Sequence, residues 1–181
     1  LKLIENYENK WEWGGVGRDN YISGVAKGIS GNISLPWSLE LIERYEYKWE
    51  WYHGLSSNNS LPWSFKFIEK YENRWNWKEL SWNESSPWSV ELLEKYEDKW
   101  NWEMLSYRNS LPWTLELLEK YENKWEWEKL SKNPELPWSM ELIEKYKEKW
   151  DWGFQGNKAI YEKVIKPLLN NEFIDEVMAE I

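Results

Sequence analysis

Leu136-Pro137-Trp138-Ser139-Met140-Glu141-Leu142-Ile143-Glu144-Lys145-Tyr146 opens a unit that closes on Trp150-Asp151-Trp152, and this stretch decides the fold. Ser139 reads as a helix cap, because its hydroxyl can accept from an orphan amide of the first turn. Glu141 stands in that turn, where the helix dipole favours an anion. Leu142, Ile143, Tyr146 and Trp150 then form a one-sided apolar stripe at helical spacing. The Pro ahead of the cap makes the helix start sharp. Trp152 is two residues past Trp150 and cannot share its face. It therefore opens the next element. The equivalent residues 127–134 place Trp127 and Leu130 three apart before Asn133 and Pro134 stop the segment, which fits a short helix or a 3-10 turn. The rival reading puts Trp-x-Trp on a short strand and gives an α/β horseshoe.

The unit recurs. Pro-Trp stands at 36–37, 62–63, 87–88, 112–113 and 137–138, at spacings of 26, 25, 25 and 25 residues. A Trp pair follows each: Trp49/Trp51, Trp75/Trp77, Trp100/Trp102, Trp125/Trp127 and Trp150/Trp152. Trp11/Trp13 precedes them, and only Trp82 lies outside these ladders. Ser38, Ser64, Ser89 and Thr114 repeat the cap. Glu-to-basic pairs four apart recur at 40/44, 91/95, 116/120 and 141/145, each worth a few tenths of a kcal/mol. The expected fold is all-α: a short helical-repeat solenoid with a long helix plus a short helix or 3-10 turn per repeat. It spans residues 1–152 with an insertion at 14–28. Residues 153–181 are expected to form capping helices, with Pro167 bending the first. The chain starts inside a repeat helix, so it is expected to be part of a longer repeat protein.

Eighteen of 181 residues are Trp, whereas Leu, Ile, Val and Phe together make up about 22%. That is close to the level at which charged chains stay disordered. The Trp ladders are therefore expected to supply the missing core. There is no Cys, which excludes disulfides, Cys-based zinc sites and thiol catalysis without fixing the compartment. A single His, His53, excludes sites needing two imidazoles. The net charge of -9 argues against nucleic-acid binding, and no apolar run approaches the roughly 20 residues of a membrane helix.

Leu-Ser-x-Asn-x-x-Leu-Pro-Trp-Ser flanked by Trp-x-Trp resembles the Trp-rich short tandem repeats of uncharacterised bacterial and large-virus proteins, over residues 1–152. The resemblance implies a repeat architecture and carries no activity and no functional residue. The repeat length is similar to that of leucine-rich-variant α/3-10 solenoids, but the Trp ladder is not theirs.

The repeated Ser residues have no His partner and read as caps, not nucleophiles. The Asn ladder (Asn32, Asn58, Asn83, Asn133, Asn157) reads as turn caps, with Arg108 breaking it. No catalytic residue, metal ligand or cofactor is expected. Binding residues are expected where repeats differ. Trp82, Tyr107 and Arg108 stand between or at the Ser and Asn ladders, and Tyr52, His53 and Met104 just after Trp-x-Trp. Aromatic and Arg side chains are typical binding anchors. Arg18, in a Gly-rich insertion that matches no phosphate-loop fingerprint, is a further contact candidate. The function expected is a non-enzymatic scaffold binding a protein or peptide, with a carbohydrate-binding module using exposed aromatics as the alternative.

Overall fold

The protein is all-helical. The computed structural model describes residues 2–14, 28–153 and 157–169, and among these there is no strand. The strand reading of Trp-x-Trp is thereby overturned. Two compact units, Leu1–Asn101 and Trp102–Ile181, are each taken by itself. The first holds α1 (Lys2–Asn6), a 3-10 turn at Gly28–Gly31, α2 (Leu39–Arg44), a π-helical turn at Trp51–Leu55, α3 (Phe65–Lys70), α4 (Trp77–Trp82) and α5 (Val90–Lys95). The second holds α6 (Trp102–Ser106), α7 (Leu115–Lys120), α8 (Trp127–Leu130), α9 (Met140–Lys145) and α10 (Lys158–Ile160), with further short turns to Leu168.

The caps are where the sequence puts them. The hydroxyls of Ser38, Ser64, Ser89, Thr114 and Ser139 accept from the third helical amide at 3.1–3.2 Å. Each contributes about 1 kcal/mol. The first helix of each repeat is shorter than its periodicity predicts, at six residues. The Tyr ends it: Tyr45 has φ -117° and ψ 28°, outside the helical region. A turn follows, closed by Lys48 N–H donating to the Tyr45 carbonyl at 2.8 Å. The chain thus folds the next Trp back under its own helix. Trp49 Nε1 donates to the Ile42 carbonyl at 3.1 Å, and Trp75, Trp125 and Trp150 repeat the bond on Ile68, Leu118 and Ile143. These carbonyls are orphans of the last turn, so the indole both fills space and satisfies backbone.

The second Trp of each pair performs the same service for the turn. Trp51 Nε1 donates to the Glu46 carbonyl at 3.0 Å, Trp77 to Glu72 and Trp127 to Glu122. The residue between the two Trp is extended and starts the short helix. Asn76, at φ -79° and ψ 100°, accepts from the amides of Lys78 and Glu79. The Trp-x-Trp pair is therefore a link whose first indole faces its own repeat and whose second faces the next.

The innermost layer is aliphatic. Leu41, Ile42 and Leu55 are fully buried, as are Leu92, Leu93 and Leu80 in the same unit, and Leu118 and Leu130 in the second. The first Trp of each pair that follows a Pro-Trp is also buried, at 4–5% exposure, whereas Trp11 is exposed. Most remaining ladder Trp are half-buried, so they sheathe the core and do not fill it.

Repeats are fastened by two small polar side chains. Ser56 is wholly buried; its hydroxyl donates to the Trp51 carbonyl at 2.7 Å and accepts the next repeat's Asn76 amide at 2.9 Å. Ser81 takes Asn101, Ser106 takes Glu126 and Ser131 takes Asp151 in the same way. Asn83 Nδ2 donates back to the Ser56 and Asn58 carbonyls at 3.2 and 3.4 Å, while its Oδ1 accepts from Ser85 N–H at 2.9 Å. The Asn ladder thus does more than cap turns: within each unit Asn58, Asn83, Asn133 and Asn157 clip their repeats to the ones before. Around these bolts the indoles close in. Trp51 meets Tyr71 and Trp75 of the next repeat at centroid distances of 4.5 and 5.0 Å, and Trp127 meets Tyr146 and Trp150 at 4.6 and 5.0 Å.

The basic residues also reach across repeats. Arg44 pairs with Glu5, Lys70 with Glu43, Lys95 with Glu69 and Lys145 with Glu119. For Arg44, Lys95 and Lys145 the predicted partners four residues earlier are passed over, because a side chain one repeat back offers its carboxylate directly alongside. A second basic row lies on the indoles, with Lys99 Nζ 5.0 Å from the Trp77 centroid and Lys149 Nζ 5.1 Å from that of Trp127.

In the second unit Asn157 still clips to the Ser131 and Asn133 carbonyls. Ile160 is buried three residues on, where all other repeats but one have the Leu of Leu-Pro-Trp. Tyr161 then replaces Pro, and the chain continues as a π-helical turn, Tyr161–Ile165. The helix changes to a 3-10 turn at Lys166–Leu168, around Pro167. The expected second capping helix lies outside the described residues.

Candidate interaction surface

With the repeat's fixed points assigned, the candidate contact residues can be located. In the first unit they gather at the π-helical turn. Glu50 spans its wide mouth: the carboxylate accepts from the amides of Tyr52, His53 and Gly54. The turn presents an exposed Tyr52 whose ring stands edge-on to His53 at 4.8 Å. His53 Nδ1 lies 3.7 Å from Glu79 Oε1 of the next repeat. Trp82, one turn along α4 from Glu79, is 50% exposed. Tyr52, His53, Glu79 and Trp82 thus mark the outer side of the short helices, and no repeat contact described above uses the Tyr52 or Trp82 ring.

In the second unit Tyr107 is exposed, with Lys129 Nζ 5.0 Å from its ring centroid. The Tyr107 hydroxyl holds the Lys129 ammonium above its ordinary range. Glu128 bonds to Lys132 at 2.9 Å, which keeps its carboxyl below the usual carboxylate range. Met104 is half-exposed on α6. Arg108 differs from the expectation of a surface anchor. It occupies the Asn position of its repeat and is buried. Its carbonyl accepts from Trp113 Nε1 at 2.8 Å and Asn133 Nδ2 at 2.9 Å, so it serves as a member of the polar ladder. Arg18 lies outside the described residues.

Two further hollows lie in the first unit. One, of about 570 Å³, is walled by Glu5, Glu8, Arg44, Tyr45, Tyr47 and Lys48, the groups of the inter-repeat ion pairs. The other, of about 530 Å³, is mainly apolar and includes Ile4, Trp11, Ile29 and Leu35. Among the described residues no three His, Cys, Asp or Glu side chains gather as metal ligands, and no helix is long and apolar enough to cross a membrane.

One set of exposed residues escaped the sequence reading. The position after each capping Ser or Thr is Leu39, Phe65, Val90, Leu115 or Met140, apolar every time, yet outside the core. The signal was its constant character at a position that helix capping leaves unconstrained. Comparisons of the chain with protein-family models, with curated proteins and with solved structures give no match.

Proposed function

We propose that the protein is a non-enzymatic interaction scaffold that binds a protein or peptide partner along the variable outer side of its short helices. The observation that carries this reading is the exposure of Tyr52, Trp82 and Tyr107 at repeat positions that differ from unit to unit. The repeat skeleton fixes Ser, Asn, Leu and the paired Trp, and leaves these rings to solvent. Large aromatics on a rigid support lose little entropy on binding, which suits them as anchors. A carbohydrate platform built on the Trp ladders has less support, because most ladder indoles are stacked on neighbouring rings and donate their N–H groups to backbone carbonyls.

The test is affinity capture with the full chain and with Tyr52→Ala, Trp82→Ala and Tyr107→Ala, each checked for an unchanged far-UV spectrum. The variants are expected to lose the same bound proteins. An unchanged set of bound proteins overturns the assignment. Iodide quenching of Trp fluorescence separates the carbohydrate reading, which requires most indoles to be accessible.

A further inference from the structure

Leu39, Phe65, Val90, Leu115 and Met140 are the first residues of α2, α3, α5, α7 and α9. Leu39, Val90 and Met140 are 39–47% exposed, and Phe65 and Leu115 are half-exposed. Capping does not call for an apolar group there: the cap bond runs to the third helical residue, as from Leu41 N–H to Ser38 Oγ. The next position carries Glu40, Lys66, Glu91, Glu116 and Glu141, all exposed. The basic residues that could neutralise these acids within the helix are drawn one repeat back, Arg44 to Glu5, Lys95 to Glu69 and Lys145 to Glu119. Among the described residues Glu40, Glu91 and Glu141 have no ion pair. Each unit therefore displays an apolar row beside a row in which acids predominate, at the repeat spacing.

We propose that this double row is a docking surface for a basic amphipathic segment of a partner protein. Its apolar side chains would lie on Leu39, Phe65 and Val90 in the first unit, or on Leu115 and Met140 in the second, with its Lys or Arg against the Glu row. Charge selects this occupant. A second copy carries the same acids and the same net charge of -9, so pairing like rows sets acid against acid. An anionic lipid surface is repelled for the same reason. Amphipathic segments binding through regularly spaced apolar anchors are a recurrent recognition mode, and a repeat array displays such anchors at fixed intervals. Phe65 already holds a cation, with Lys95 Nζ 5.2 Å from its ring centroid. This surface lies on the first helix of each repeat, in other elements than Tyr52 and Trp82 on the short helices and Tyr107 at the end of α6.

The test is fluorescence anisotropy of the full chain with a labelled amphipathic helical peptide of Leu and Lys, against the same peptide with Glu in place of Lys. The Lys peptide is expected to bind in a salt-dependent manner and the Glu peptide not to bind. Replacing Leu39, Phe65, Val90 and Met140 together by Ser is expected to weaken binding by at least about tenfold. Replacing Glu40, Glu91 and Glu141 together by Gln is expected to weaken it at low salt and flatten the salt dependence. Trp82→Ala is expected to leave affinity unchanged, which separates this surface from the one on the short helices. The proposal is overturned if the wild-type chain fails to bind the Lys peptide, or if both folded multiple variants bind like wild type. It is also overturned if sedimentation shows a wild-type dimer that the Ser variant dissolves, since the occupant is then a second copy. The Gln set alters only exposed charges, so it carries the test should the Ser set fail to fold.

Discussion

The turn from Trp51 to Ser56 and the turn from Trp77 to Ser81 occupy equivalent places in successive repeats, and the first has one residue more. The extra residue changes the helix and almost nothing else. Leu55 N–H reaches back five residues to the Glu50 carbonyl at 2.9 Å, whereas Leu80 N–H reaches back four to Asn76 at 2.8 Å. Leu55 and Leu80 are nevertheless both fully buried. The Ser56 and Ser81 hydroxyls both donate to the leading Trp carbonyl at 2.7 Å and both receive an amide from the next repeat. The wider turn has a longer cap, Glu50 in place of Asn76. The repeat is therefore defined by a few buried anchor points, and the chain between them is free to vary in sequence and even in length. A one-residue insertion of this kind is how π-helical turns arise within helical segments, and such turns are frequent at functional sites.

If the anchor points define the repeat, damage to them should cost alike in both turns. Leu55→Ala and Leu80→Ala are each expected to destabilise by about 2–5 kcal/mol, the usual range for a buried Leu. Urea unfolding followed by Trp fluorescence measures this, and a clearly smaller loss at Leu55 would show that the π-helical turn packs more loosely. Ser56→Ala and Ser81→Ala come next, at about 1–3 kcal/mol each, since each takes the hydroxyl acceptor from the next repeat's backbone amide, that of Asn76 or Asn101. Equal losses would support the equivalence of the two turns, and a loss confined to Ser81 would break it.

The tyrosines that pack against these turns give a weaker, pH-dependent signal. Tyr96 stacks on Trp77 at 4.6 Å. Burial, reinforced by Glu72, pushes its phenol up to about 12 from an ordinary value of 10.0. A raised folded-state value means that the folded protein holds the proton more tightly than the unfolded chain. The resulting stability is fully present below pH 10 and is lost as pH rises toward 12. Burial also raises Tyr146, in the second unit. Denaturant midpoints are expected to fall across that window in wild type. Tyr96→Phe should reduce the fall, which can be followed with phenolate absorbance at the same pH values.

Most of the repeat was legible in the sequence because its signals are local. Ser139 before Glu141, and Pro-Trp every 25 or 26 residues, need only chemistry within one turn of chain. The length of the first helix was not legible. Trp150 stands four residues after Tyr146, the spacing of a continuing helix, yet it reaches that face after a turn. Spacing alone does not distinguish these paths. The ion pairs misled for a related reason: Lys95 has Glu91 at the helical interval, but Glu69 of the preceding repeat takes it. Trp abundance suggested an indole core; Trp49, Trp75, Trp100, Trp125 and Trp150 are buried, but the innermost layer is Leu and Ile, and the half-buried indoles sheathe it. Of the candidate contact residues, Tyr52, Trp82 and Tyr107 are exposed as their variability suggested. Arg108 is not, because it stands at a ladder position whose burial comes from contact between repeats, information a single repeat does not contain.

The smallest expected effect tests the comparison most directly. Deleting Gly54 converts Trp51-Tyr52-His53-Leu55-Ser56 to the spacing of Trp77-Lys78-Glu79-Leu80-Ser81. If only the anchors matter, the shortened turn should close as an α-helical one. Stability should change by no more than about 1 kcal/mol, with removal of a helix-disfavouring Gly offsetting loss of the wide-turn bonds to Glu50. Amide exchange should then show Leu55 and Ser56 as protected as Leu80 and Ser81. A loss of several kcal/mol would mean that Glu50 and its three amides are themselves an anchor of this repeat. The deletion also moves Tyr52 and His53 relative to Glu79. A deletion variant that keeps its stability but loses a bound partner would therefore assign the extra residue to recognition, not to folding.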